Sequence, residues 1–111
     1  MSDDPEYAYL TTTGRVTGKP HRIEIWYRRI DDVVWFISGG RNAADWVQNL
    51  RADPRAAIEI DDDVLTGAAF FEPQEALEPR QALAARYQGW RAPDPLTPWA
   101  TSGLLVGVRL D

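Results

Sequence analysis

The sequence predicts a mainly β protein of the α+β class, a small antiparallel barrel of about six strands with two short helices set between them. Three observations predict it. Short segments rich in β-branched and aromatic residues follow one another through connections of two or three residues, which only antiparallel pairing accommodates. Helical character appears in two places only, without the regular β-α alternation of a doubly wound parallel sheet. The length of 111 residues, with 44% hydrophobic and 11% aromatic content, suits one core and one domain spanning residues 1–111.

Each element has its own signature. Tyr7–Thr12 reads as a first strand. A glycine-containing connection, Gly14–Pro20, follows it. Arg22 to Arg28 alternates, with Ile23, Ile25 and Tyr27 on one side and Arg22, Glu24, Trp26 and Arg28 on the other. Asp31-Asp32 turns the chain into Val33–Ile37, which is apolar at every position and therefore predicts a strand covered on both faces. Ser38-Gly39-Gly40-Arg41 breaks that strand. Asn42 is an N-cap candidate, with Asp45 three residues on in capping-box position. A helix from about Ala43 to Ala52 is expected, ended by Asp53-Pro54. Ala56–Ile60 and Val64–Phe71 read as strands joined by an Asp61–Asp63 turn. Pro73 to Pro79 opens a second helix, strongest from about Glu78 to Gln88, with Leu83 and Tyr87 four apart. Gly89 to Pro98 is a loop. Gly103 to Leu110 is a last strand, with Leu104, Val106, Val108 and Leu110 sharing a face.

Composition removes whole classes of chemistry. There is no cysteine, hence no disulfide, thiolate nucleophile or cysteine metal site. His21 is the only histidine, so one chain cannot build a multi-histidine metal site. Ser38 and Ser102 lack a nucleophile-elbow signature. Asp61–Asp63 reads as a solvated hairpin tip rather than a metal cluster. The acidic start, Met-Ser-Asp-Asp-Pro-Glu, is unlike a signal peptide, and no apolar run reaches the roughly 18–20 residues of a membrane span. A soluble, cytoplasmic protein without membrane insertion is expected.

Two glycine turns stand out. Leu10–Arg22 combines Gly14 and Gly18 with threonine hydroxyls and with Arg15, Lys19, His21 and Arg22, in a chain of net charge −5. A local basic cluster in an acidic protein favours a specific anion site, because nucleic-acid binding needs a broader basic face. The glycines permit backbone N–H groups to line up toward an anion. A polar hairpin turn is the other reading of the same residues. Ser38–Asn42 combines glycines, Arg41 and a helix start, which suits an anion or a polar ring edge as well as it suits a plain strand-to-helix link. Trp46 and Asn49 would wall a flat aromatic ligand, or Trp46 would simply anchor the core. No Walker loop, G-x-G-x-x-G or metal-ligand spacing is present.

These motifs carry a resemblance. Leu10-Thr-Thr-Thr-Gly-Arg15, Thr17-Gly-Lys-Pro20, Trp26-Tyr27, Gly39-Gly40 and Asp45-Trp-Val-Gln-Asn-Leu-Arg-Ala-Asp-Pro54 together resemble the deazaflavin-dependent nitroreductase and quinone reductase family. The resemblance runs from about Tyr9 to Leu110. It implies a split β-barrel related to the flavin-mononucleotide-binding pyridoxamine-oxidase fold. It also implies coenzyme F-420, a deazaflavin with a phosphate and polyglutamate tail. Arg15, Thr17, Gly18 and Lys19 would then hold the phosphate or tail, with His21 and Arg22 where the family has a further cation. Ser38, Gly39 and Gly40 would meet the ring edge through backbone groups, and Trp46 and Asn49 would lie near ring or tail. Tyr87 would face the substrate as the catalytic tyrosine. The implied reaction is hydride transfer from the reduced cofactor to an electron-poor small molecule such as a quinone, nitroaromatic or enone.

The sequence departs from the family at two places. Val16 stands where many relatives carry a second cation, and Ser38 stands where many carry lysine before the paired glycines; Arg41 is positioned to compensate. Two alternatives follow from the same fold: a flavin mononucleotide (FMN) oxidoreductase, or a non-catalytic protein that binds a cofactor, tetrapyrrole or lipid. Split barrels also pair across their open side, so a homodimer is an expectation.

Overall fold

The structure, a computed structural model, describes residues 5–71 and 76–111. Strands β1 (Ala8–Thr13), β2 (Pro20–Ile25), β3 (Arg28–Ile30), β4 (Val33–Ser38), β5 (Arg55–Ile60), β6 (Asp63–Phe71) and β7 (Leu104–Leu110) form one antiparallel sheet of order β2-β1-β5-β6-β7-β4-β3. Helix α1 spans Asp45–Ala52, α2 Leu77–Gln88 and α3 Pro98–Ser102. The expected acidic start over Met1–Asp4 and the helix opening over Pro73–Glu75 lie outside the described residues. No helix among the described residues is long and apolar enough to cross a membrane.

The sheet curls because of one connection. β2 and β3 occupy its two edges, yet only Trp26 and Tyr27 separate them in sequence. A link of two residues spans roughly 10 Å at most, so the edges must approach and the sheet must bend into a barrel. This corrects the expectation of one continuous strand over Arg22–Arg28. The alternation is real, but the first half pairs with β1 and the second with β4. The barrel has seven strands rather than six because that single run supplies two.

Alternation sorts the core. Leu10, Val34, Phe36, Ile58, Val106 and Val108 are buried inside the curl, where Val47 and Leu50 of α1 join them. Each such side chain contributes about 1.5–3 kcal/mol on burial. Ile37 and Leu105 point outward from β4 and β7 and are covered by Leu83 and Ala84 of α2 and Ala100 of α3. β4 and β7 are thus covered on both faces, as the unbroken apolar run of β4 predicts. Gly107, paired with Trp35 on β4 and Phe70 on β6, leaves room for their rings to meet edge to face at 5.3 Å. A Cβ there would lie 2.6 Å from Phe70 and 2.9 Å from Trp35.

Two local readings change. Asn42 does not cap α1. Arg41 takes a left-handed conformation (φ 51°), Arg41–Ala43 forms a 3-10 turn, and Ala44 stands at the cap without a side-chain bond. The Asn42 side chain instead accepts from Arg51 Nε (2.8 Å), and its carbonyl accepts from Gln48 Nε2 (3.1 Å). The stretch after Gly89 also holds a helix, α3, started by Thr97, whose hydroxyl accepts from Ala100 N (3.3 Å), with Pro98 at the first position.

Tyr87 of α2 fastens the seam. Its hydroxyl accepts from Tyr27 N (3.0 Å) and lies 2.9 Å from the Tyr27 carbonyl and 2.8 Å from that of Glu6. Its ring stacks on Trp26 at 4.6 Å and 6°. Tyr87→Phe keeps the stack but removes the hydrogen bonds its hydroxyl makes to Tyr27 and Glu6, so denaturant unfolding should show a loss of about 1–3 kcal/mol; unchanged stability would remove the hydroxyl from this role.

A second clasp is electrostatic. Arg55 Nη1 and Nη2 meet the Asp111 carboxylate at 2.8 and 2.6 Å, and the Thr66 hydroxyl donates to it at 2.7 Å. These donors, Arg55 first, hold the Asp111 carboxyl well below the usual carboxylate range. The native state therefore keeps it ionised where the unfolded chain protonates, near pH 4. Its stabilisation is complete above that pH and is lost as pH falls further. Melting temperatures of wild type and Asp111→Asn should differ most at neutral pH and converge under acid.

Candidate cofactor site

The first glycine turn closes on itself. Gly14 N donates to the Lys19 carbonyl and Gly18 N to that of Gly14, both at 2.8 Å, with Gly18 left-handed (φ 74°). Lys19 N donates to the Thr17 hydroxyl at 3.2 Å. His21 lies over Gly14, where a Cβ would come within 2.5 Å of its Nε2. The amides of Gly14, Gly18 and Lys19 are thus taken up inside the turn. They do not line up as an anion nest, and what the turn offers a ligand is side chains.

Asn49 joins this turn to α1. It is buried, with 3% exposure. Its Nδ2 donates to the Thr12 hydroxyl (3.1 Å), and its Oδ1 accepts from Arg15 N (3.2 Å) and Arg15 Nη1 (2.8 Å). Arg15 Nη2 also pairs with Asp45 Oδ1 at 3.2 Å. Gly14, Arg15, Val16, Thr17, His21, Asp45 and Asn49 line a recess of about 200 Å³. The structure thus brings most of the residues expected at the anion end together. Asp45 was not singled out for this; its i, i+4 spacing to Asn49 on one helix face is the signal that places both beside Arg15. The Lys19 ammonium makes no ion pair among the described residues. Val16 is 88% exposed at the tip.

Arg22 goes elsewhere. Next to His21 on a strand, it faces the opposite side of the sheet. There its Nε and Nη2 meet Glu59 at 2.9 and 3.1 Å, and its guanidinium lies 3.9 Å over the Tyr9 ring. This pairing raises Arg22 above the ordinary arginine value and lowers Glu59 below the ordinary glutamate value. Trp46 is half-buried and packs edge to face on Phe36 at 6.2 Å, the core-anchor reading.

The second glycine turn is held from beneath. Ser38 is buried, and its hydroxyl donates to the Arg41 carbonyl at 3.0 Å. Gly39 and Gly40 are exposed. A Cβ on Gly39 would sit 3.5 Å from Trp99, and Trp99 meets Trp26 edge to face at 5.4 Å. Trp26, Trp99, Ile37, Ile25, Tyr7 and Glu24 line a cleft of about 270 Å³ beside this turn. Trp26 and Trp99 carry this wall although neither stood out as a site residue; a chain with five tryptophans hides which of them share a face. The two glycine turns flank the start of α1. Arg15 binds Asp45, and Arg41 lies four residues before it, within about 14 Å along the chain. Tyr87 stands behind Trp26, with its hydroxyl at the seam rather than in either turn. A larger cavity, about 470 Å³ between Tyr27, Arg28, Asp31, Asp61 and Arg86, contains none of the expected residues. It sits at the other end of β1 and β5 from the first turn.

The residues fit a flat cofactor with an anionic tail. One turn offers an ammonium and hydroxyls, and the other offers open backbone beside an aromatic wall. No group of three metal-ligating side chains occurs among the described residues.

If Asn49 is the clasp between turn and helix, Asn49→Ala leaves Thr12 and the Arg15 amide without partners. A loss of about 1–3 kcal/mol in unfolding experiments is expected, whereas a neutral substitution would contradict the clasp.

Comparison with known proteins bears on the fold and the family. In solved structures the fold recurs in a Listeria innocua protein assigned as a pyridoxamine 5'-phosphate oxidase (14% identity, 96% of this chain and 85% of that one, TM-score 0.70). It recurs in an F420-H2 dependent reductase (18% identity, 94% of each chain, TM-score 0.69). A domain-swapped dimer shares it too (20% identity, 96% and 81% covered, TM-score 0.72). At these identities the likeness shows the fold, a split-barrel architecture. No curated protein matches the chain. The family profile described as F420H(2)-dependent quinone reductase matches residues 3–91, which include both glycine turns and α1. The chain belongs to that family, whose cofactor is the reduced deazaflavin coenzyme F-420.

Proposed function

We propose that this chain is an F-420-dependent reductase that delivers a hydride to an electron-poor small molecule such as a quinone, nitroaromatic or enone. The observation that carries this reading is the pairing of two unlike surfaces across the start of α1. One is the turn with the Lys19 ammonium, which has no ion pair among the described residues, and the other is the exposed Gly39–Gly40 backbone beside Trp99 and Trp26. A phosphate and carboxylate tail suits the first; a ring edge suits the second.

When bound, the cofactor supplies the hydride. The chain's own residues bind, orient and shield. Lys19 and the Thr17 hydroxyl hold the tail through charge-assisted bonds. Arg15 is kept beside them by Asn49 and Asp45, and His21 lines the same recess. Gly18 keeps the turn tight enough to bring these groups together. The Gly39–Gly40 backbone, fixed by Ser38, takes the ring edge. Arg41 is the cation nearest that turn. Trp26 and Trp99 exclude water from one side of the acceptor cleft, and Tyr87 keeps Trp26 in place. The proton that accompanies reduction of the acceptor comes from solvent. Trp46 and Arg22 act through the fold, by anchoring α1 and bracing β2. A cytoplasmic homodimer belongs to the same reading, with the domain-swapped dimer of this fold as its support.

Lys19→Ala separates binding from folding. Its side chain is exposed, so melting should not change. A charge-assisted contact is worth about 1.5–3 kcal/mol, so affinity for coenzyme F-420, followed by its fluorescence, should fall roughly tenfold or more. Wild-type affinity in this variant would make the first turn only a turn.

A further inference from the structure

The cleft beside the second glycine turn has the opposite charge to the recess at the first. Two indoles form its wall. Trp26 and Trp99 meet at 5.4 Å and 88°, so their ring planes stand at right angles. Tyr7 adds a third ring at the rim, 38% exposed. Ile25, Ile37 and Glu24 complete the lining, and Glu24 is the one charged side chain among the described residues that line it.

That carboxylate has no counter-ion. It makes no ion pair among the described residues, and its Oε1 accepts only a neutral donor, the Tyr9 hydroxyl, at 3.1 Å. Arg22, two residues before it on β2, is committed to Glu59. The cations packed against α3 are held by its backbone. Buried Arg80 donates through Nη1 to the carbonyls of Ala100 (2.9 Å) and Gly103 (2.8 Å), and Arg41 donates to that of Ser102. Neither lines the cleft. A second carboxylate, that of Glu6, reinforces the sign. Its hydrogen bond to Tyr7, opposed by one from Trp26, and then its charge push the Tyr7 hydroxyl above the ordinary tyrosine value, and Glu24 adds to this. Tyr7 therefore stays neutral at pH 7, and both carboxylates are felt at the rim.

We propose that this cleft sorts hydride acceptors by charge, with Glu24 as the specificity-determining residue. It favours flat acceptors that carry a positive charge on or beside the ring, takes uncharged ones next and turns anionic ones away. The proposal rests on the proposed function, in which this cleft receives the acceptor. Indole faces carry negative potential, so they attract a cation as well as stack on a ring. Glu24 acts in the same direction at close range, and the chain's net charge of −5 does so at longer range. The recess at the first turn, with Arg15 and His21 in its lining and Lys19 on the same turn, has the opposite preference. The two ends of the site thus select ligands of opposite sign.

The probes are three naphthoquinones with the same ring system, bearing a trimethylammonium group, no charge or a sulfonate. Each is titrated calorimetrically against the whole protein, and each is then used as acceptor with reduced coenzyme F-420. In wild type the cationic quinone should bind roughly tenfold more tightly than the sulfonate. The uncharged one should fall between them, and kcat/KM should follow the same order. Glu24→Gln, at an exposed position and with an oxygen left for Tyr9, should shrink the spread. Glu24→Lys should reverse it. Added salt should narrow the spread more in wild type than in Glu24→Gln. A purely structural role would shift all three affinities alike. Equal affinities in wild type, binding of none of the three, or an order unmoved in both Glu24 variants would overturn this proposal alone. Failure to bind coenzyme F-420 would overturn the proposed function, and the order of quinone affinities would still decide what the cleft selects.

Discussion

The structure depends on the closure between β2 and β3. These edge strands have only Trp26 and Tyr27 between them, so the sheet has no flat alternative. Bending it creates an interior that Val47 and Leu50 of α1 fill from one side, and it leaves the outer faces of β4 and β7 to α2 and α3. The seam has no ladder of backbone bonds between β2 and β3. Tyr87 supplies part of what is missing by bonding to both the amide and the carbonyl of Tyr27. The same closure puts the half-buried Trp26 beside Trp99, so the seam and the aromatic wall of the candidate site are one feature.

The arrangement of charge explains how the site stays open in an acidic protein. Arg22 and Arg55 are paired with carboxylates on the far side or the edge of the sheet. Arg15 is held half-engaged by Asn49 and Asp45. Lys19, Arg41 and Arg80 have no carboxylate partner among the described residues. Lys19 and Arg41 belong to the two glycine turns, whereas Arg28, Arg29, Arg51 and Arg91, which also lack an acidic partner among the described residues, lie elsewhere.

Much of this was legible in the sequence, and the reasons are specific. The unbroken apolar run of β4 announced burial on both faces, and the alternation of β7 announced which side chains point inward. Both glycine turns and α1 were recognisable by motif. The break at Trp26–Tyr27 was not, because it falls inside a run whose alternation continues across it. Asn42 looked like a cap by type, but the left-handed Arg41 shifts the helix start to Ala44. Arg80 gave no sequence signal at all. An arginine on an amphipathic helix is ordinarily solvated, and only the docking of α3 against it reveals that it is buried.

The central claim is that this barrel is built for a deazaflavin. The most direct measurement is a calorimetric titration of the purified wild-type protein with coenzyme F-420 and with flavin mononucleotide in parallel. Saturable binding of one coenzyme F-420 per chain, in clear preference to flavin mononucleotide, is the result predicted here. Preference for flavin mononucleotide, or binding of neither, would contradict it.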